Sequence, residues 1–274
     1  HVSSSVISLN TAKIIANSNT WVSERELDYT PTASYQDSPM YLKDKRFDSQ
    51  VHTAKSALGK SIQPEEYYNS LDTNALLVEA NTVYEKPDYE QALRLFDTAA
   101  SRADGQIMKT YAGLYETYRK LNQKTNAEQA FAKLLAISVQ ETHKLNMKFL
   151  FKVNSADFIE EAALRQEYSF WLQQIVKYFR HNDRCFQIVG HSSYTGAATY
   201  NDKLSLSRAQ KVQQLMKADF PAVLQRAKAV GKGFRENLVG SGTDDARDAI
   251  DRRVEMVVVS CSNLREENKD SMVG

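Results

Sequence analysis

Near residue 144 the hydrophobic period of this chain changes, and that change limits the fold to an α+β class. Before it, Ala92, Phe96 and Ala99 fall at i, i+4 and i+7, and Ala127, Phe131 and Leu134 repeat the spacing. Such spacing gathers side chains on one helical face. After it, Leu145, Met147, Phe149, Phe151 and Val153 alternate with Asn146, Lys148, Leu150 and Lys152, the pattern of a strand with one buried face. Helical and extended stretches then take turns. Leu164, Tyr168, Trp171, Leu172, Ile175 and Phe179 form one helical stripe, and "CFQIVG" reads as a second strand. Residues 201–219 read as a helix with Leu204, Val212, Leu215 and Met216 on one face. "AKAVGKGF" gives a third strand, and "RRVEMVVVSC" a fourth with Val254, Met256 and Val258 facing one way. The order is β-α-β-α-β-β, helices layered on one mixed sheet.

The helical part repeats. Ala92 to Ala127 and Phe96 to Phe131 are both 35 residues apart. A small residue followed by an aromatic one turn later lets antiparallel helices interlock. Tyr111, Leu114, Tyr115 and Tyr118 supply the first-helix stripe of the second unit; Leu76, Ala80 and Val83 supply a less regular one for the first. These segments resemble tetratricopeptide repeats, whose period is about 34 residues. The resemblance implies stacked helical hairpins that bind a protein partner; any pair of helical hairpins would share the spacing. Residues 1–72 are rich in Ser, Thr, Asn and Asp and broken by Pro31, Pro39 and Pro64, with "KIIANS" and "TAKSAL" as candidate short helices. The expected division is therefore an irregular extension over 1–72, helical repeats over 73–141, a mixed-sheet domain over 142–264 and a polar tail over 265–274.

Composition narrows the partners. The net charge is +1, from 35 basic and 34 acidic residues. Nucleic acid is not expected, because phosphate binding needs a clustered basic face. No apolar run approaches the roughly 18 residues of a membrane helix. No signal peptide is read, and the chain opens at His1 rather than Met, which suggests a trimmed mature chain.

One run of motifs is more specific. A strand, then "GHSSYTG", "YNDKLSLSRA", "VGKGF" and "DRRVEM" resembles the OmpA-like peptidoglycan-binding domain, from about Lys144 to Cys261. The family resemblance implies non-covalent binding of meso-diaminopimelate in the peptidoglycan stem peptide. It also implies an acid ending the turn after the second strand, to meet the ligand ammonium, and an Arg on the next helix, to meet its carboxylate. Arg208 matches the Arg. Ser193 stands where the acid is expected. By the same resemblance Asn201 lies beside the pocket and Arg252 borders it, with Asp251 in place of an Asn. The two strand ends carrying Cys185 and Cys261 would meet in a disulfide if their strands are antiparallel neighbours, as the resemblance implies.

The residues can also be judged alone. On a helical wheel with Leu204 at zero, Arg208 falls at about 40°, inside the apolar arc. A buried cation needs a partner: either Asp251 or Glu255 in an internal salt bridge, or the carboxylate of a ligand. Asn201 reads as an N-cap, as a pocket residue, or both. Ser192, Ser193 and Thr195 make a hydroxyl-rich turn that Gly196 permits. In "GSGTDDARDAIDRR", Thr243 reads as an N-cap with Asp244 and Asp245 in the first helical turn, where the dipole favours acids. His1, His52, His143, His181 and His191 have no metal-ligand spacing, and "GHSSY" is not a nucleophile elbow. No enzyme, metal or cofactor is expected.

The expectation is a Gram-negative envelope protein in the periplasm, tethered to the cell wall and holding a protein partner through its helices. Outer-membrane association would come through a removed signal or a lipid anchor. The alternative is a scaffold whose OmpA-like fold no longer binds wall. Two further expectations follow: with Ser193 in place of the acid, binding is weak and salt-sensitive unless Asp251 replaces the missing charge, and Ser193→Asp tightens it.

Overall fold

The computed structural model describes residues 2–8, 10–21, 32–42, 51–61, 64–159, 162–244 and 246–264. They divide into two compact units: 1–38 with 42–134, and 39–41 with 135–274. The expected tail, 265–274, lies outside the described residues, as does Asp245.

The first unit opens with an antiparallel pair, β1 (Val2–Ile7) and β2 (Ile14–Thr20). "KIIANS" is thus a strand rather than a helix. Its run of Asn and Ser residues carries little helix propensity, and pairing with β1 decides the matter. A short helix α1 (Ala33–Asp37) precedes four longer ones: α2 (Pro64–Tyr84), α3 (Tyr89–Ser101), α4 (Met108–Lys120) and α5 (Lys124–Thr142). The repeated positions are buried: Ala92, Phe96, Ala99, Ala127, Phe131 and Leu134 are each at most 1% exposed. Phe96 packs on Gly113, where an added Cβ would lie 2.2 Å from its ring. Tyr115 meets Phe131 edge to face at 5.1 Å. In α2 the stripe is Thr73, Leu77, Ala80 and Tyr84, so Leu76 and Val83 sit one residue off the buried line.

The second unit is built on a four-stranded sheet of β3 (Lys144–Met147), β4 (Cys185–Gly190), β5 (Ala227–Gly231) and β6 (Val254–Val259), in the order β3-β6-β4-β5. Only β4 and β5 are parallel. Leu145, Met147, Phe149 and Phe151 are buried as the alternation predicts, but Val153 is exposed beyond the strand. Two long helices belong to this unit, α6 (Ala162–His181) and α7 (Ala198–Lys217), with a short α8 (Val223–Arg226) before β5. Tyr168, Trp171, Ile175 and Phe179 of α6 are buried, and Phe179 stacks on Phe186 of β4 at 3.9 Å. Cys185 and Cys261 form a disulfide. It closes a span of 76 residues, which the chain-entropy account values at about 4 kcal/mol.

Register decides where the loops open. Gly190 pairs with Gly231 and Val254, and Met147 also pairs with Val254. The chain therefore leaves β3, β4 and β5 and enters β6 at one edge of the sheet. The disulfide lies at the opposite edge, where Cys185 pairs with Val259. Gly190 lets α7 lie directly on the strand end, since a Cβ there would sit 1.9 Å from the Ser205 carbonyl oxygen. The buried face of α7 is Asn201, Ser205, Arg208, Ala209, Val212 and Met216. Leu204 is half-buried and Leu215 exposed, so the buried face is rotated away from them and Arg208 sits at its rim rather than near its middle.

Candidate ligand site at the loop edge of the sheet

Arg208 is fully buried. Its Nε donates to Ser155 O at 3.0 Å, Nη1 to His191 O at 2.9 Å and Nη2 to Lys152 O at 3.2 Å. Its guanidinium carbon lies 5.3 Å from the centre of the Phe151 ring. All three acceptors are neutral carbonyls. Among the described residues no carboxylate lies within ion-pair distance, and two of the five N–H donors of an Arg have no acceptor. Burial, and next the charge of Arg252, lower its pKa to about 10, while Tyr200 and Asp244 oppose the shift. It remains a cation at neutral pH.

Neither acid expected to pair with Arg208 does so. Asp251 is fully buried, and its carboxylate accepts from Leu238 N (2.6 Å), Val239 N (3.1 Å) and Gly240 N (2.7 Å). It fixes the loop after β5 and is not placed to replace the missing charge. Glu255 accepts from Arg253 at 2.7 Å and lies 3.3 Å from Lys144 Nζ. Burial alone would raise its pKa; Arg253, His191 and Lys144 more than offset that and hold it low. His191 is buried 3.5 Å from Glu255, yet its pKa is pushed down to about 4, by burial first and Arg253 second. At neutral pH the imidazole is uncharged, so this contact is not an ion pair.

The turn after β4 carries the predicted hydroxyls. Ser192 is fully buried, and its Oγ has no hydrogen-bond partner. Ser193 and Thr195 each donate to one oxygen of Asp244. Gly196 takes φ +93°, a conformation that costs glycine little. Asn201 is not the cap of α7, which begins at Ala198 with Ala197 as N-cap. From inside the first turns its amide reaches back to Thr195 O at 2.8 Å and Ala197 O at 3.2 Å, holding the hydroxyl turn in shape. Arg252 is buried with Nη1 3.6 Å from Asp244 Oδ1.

Asp244 is the residue that sequence reasoning missed. It lies ahead of a 3-10 turn rather than in a helix, with φ +56°. Its backbone is held from that turn. Buried Asp248, in the 3-10 turn Ala246–Ile250, accepts from the backbone N–H of Ser241 (3.0 Å), Thr243 (3.0 Å) and Asp244 (2.9 Å). Burial would raise the pKa of Asp248; those hydrogen bonds and the one from the Ser241 hydroxyl keep it below the usual range. No local spacing reveals this, because Ser193 and Asp244 are 51 residues apart. The usable signal was topological: parallel neighbours β4 and β5 send their following loops to the same edge.

The OmpA family profile matches residues 158–251, and this stretch is an OmpA-like domain. Among curated proteins nothing matches. Similar solved structures include the peptidoglycan-associated lipoprotein from Burkholderia pseudomallei, at 25% identity over 40% of this chain and 88% of that one, TM-score 0.35. The cell wall anchor of the T6SS from Pseudomonas aeruginosa is 29% identical over 40% of this chain and 74% of that one, TM-score 0.32. The OmpA-like domain of FopA1 from Francisella tularensis is 23% identical over 42% and 70%, TM-score 0.32.

Proposed function

We propose that the second unit binds the diaminopimelate-bearing stem peptide of peptidoglycan without covalent chemistry. It would tether an envelope protein to the cell wall in the periplasm. The observation that carries this reading is Arg208: a buried cation with only neutral acceptors and two N–H donors to spare, inside an OmpA-like domain. The side chain is closed to solvent here, so a ligand carboxylate reaches it when the Lys152–Ser155 segment shifts. Exchange of a neutral carbonyl for a carboxylate is favourable, since charge-assisted bonds are about twice as strong. Ser192, Ser193, Thr195 and Arg252 line the same edge, and Asn201 and Asp251 hold its loops. The helices α2–α5 would be the arm for a protein partner, as the resemblance to helical repeats implies; the recurring buried Ala/aromatic interlock supports their stacking. Attachment to the outer membrane would require a lipid anchor or signal outside these residues.

The test is co-sedimentation of the full chain with isolated diaminopimelate-type sacculi, with soluble muropeptide as competitor. Pelleting that the muropeptide abolishes is expected; recovery entirely in the supernatant overturns the reading. One observation favours the scaffold alternative: Arg208 already ties Lys152, Ser155 and His191 together and would serve as a structural clamp without any ligand. Under that alternative nothing pellets.

A further inference from the structure

We infer that Asp244, from the loop after β5, is the carboxylate that receives the ligand's ammonium, in place of the acid absent at Ser193. This rests on the peptidoglycan-binding reading above. The free end of diaminopimelate is a zwitterion with ammonium and carboxylate on one carbon, so its site needs an acid and a cation close together. Arg208 is the cation. Of the acids in the loops at this edge, Asp248 and Asp251 are fully buried and spent on backbone N–H groups, Glu255 is spent on Arg253 and Lys144, and the more exposed Asp157, Asp202 and Glu236 face Lys211, Arg235 and Lys232. Asp244 differs. Its side chain keeps 20% of its exposure, and its charge acts on Arg208.

Its placement is built rather than incidental. Two hydroxyls of the β4–α7 turn donate to it, one to each oxygen. Ser193 therefore does not offer its hydroxyl to a ligand; it orients the acid that does the work of the missing one. Asp248 fixes the backbone on which Asp244 stands. A carboxylate has about four lone-pair positions. Ser193, Thr195 and the Arg252 contact at 3.6 Å leave room for an ammonium N–H. Beside them lies the fully buried Ser192 hydroxyl, which has no partner of its own.

Calorimetric titration of the full chain with a diaminopimelate muropeptide tests this, with the same muropeptide acetylated on its free side-chain amine as the second probe. The parent is expected to bind the unmodified form at least tenfold tighter than the acetylated one. Asp244→Asn is expected to lose at least tenfold for the unmodified form and to discriminate little between the two. Adding Ser193→Asp to Asp244→Asn, which returns an acid to the turn, is expected to recover most of the loss. Unchanged binding and discrimination in Asp244→Asn would overturn the assignment while leaving wall binding intact. Weakened binding that the double variant does not recover would assign the loss to the loop and also overturn it. No binding by the parent removes the function and this assignment together.

Discussion

The two units bury different things. Among the described residues, the only charged side chain buried in the first is Glu116. The second buries Lys148, His191, Arg208, Asp248, Asp251, Arg252, Arg253 and Glu255. Apolar interlock of the kind Phe96 makes with Gly113 is complete in itself. A buried charge costs several kcal/mol unless partners meet it. For Arg208, Asp248 and Asp251 those partners are loop carbonyls and backbone N–H groups, so these charges organise loops instead of filling a core, while Arg253 and Glu255 pair with each other. They gather where the loops leave the sheet, the edge that carries the proposed site.

The largest expected effect sharpens the apolar side of this comparison. Phe96→Ala should cost about 4 kcal/mol, within the usual range for emptying a buried aromatic site. Urea titration followed by far-ultraviolet circular dichroism measures it. A loss below about 1 kcal/mol would mean that the helices close over the gap. On the other side, Arg208→Met should cost about 3 kcal/mol, less than the sum for three orphaned carbonyls. Lys152 and Ser155 are only half-buried, so water can satisfy their carbonyls; that of His191 is left dry. A stable Arg208→Met that no longer pellets with sacculi would make this Arg a ligand residue first; a melted one would make it a clamp first.

His191 tests the buried charges by pH. Its folded pKa of about 4 lies below the ordinary 6.5. The unfolded chain therefore takes up a proton first as pH falls. The stability tied to the neutral imidazole is fully present above about pH 6.5 and is lost progressively toward pH 4, by about 3 kcal/mol at most. The parent should lose stability between pH 7 and pH 5 more steeply than His191→Phe. Parallel curves for the two proteins would show that the imidazole titrates in the fold as it does in the unfolded chain.

Much of this comparison was legible in the sequence. Periodicity gave the helices and strands, because apolar burial is written at fixed spacings: Phe96 and Phe131, Leu145 and Met147. The OmpA-like motifs led to the disulfide and to Arg208. What was misread involves polar side chains acting on backbone at a distance. Asn201 looked like a cap and is a brace reaching backwards. Asp251 looked like a partner for Arg208 or a stand-in for the missing acid, and it holds three N–H groups. Asp244 looked like a helix-dipole acid, yet it faces the β4–α7 turn, and Asp248, which had no assigned role, holds its backbone. Composition cannot separate these roles, because an acid in a loop near a helix start has the same sequence signature in each.

The smallest expected effect is the one that most directly sets the turn against the loop. A substitution that would add the expected acid, Ser193→Asp, was expected to tighten binding when Ser193 was read alone. With Asp244 in place, Ser193→Asp removes a donor and brings a second carboxylate against the first. Like charges at such range raise the pKa of one member of the pair. The cost is therefore present at neutral pH and is relieved as pH falls and one of the two carboxylates takes a proton. Ser193→Asp should lose about 1 kcal/mol of stability at pH 7.5, in line with couplings between neighbouring groups, and regain most of it near pH 5. In an Asp244→Asn background the same substitution should cost almost nothing at either pH. Urea titrations of the parent, the two single variants and the double variant at both pH values close the cycle. Strictly additive effects at pH 7.5 would mean that the residue at 193 and Asp244 do not meet, and the acid of the site would have to be sought elsewhere along the edge.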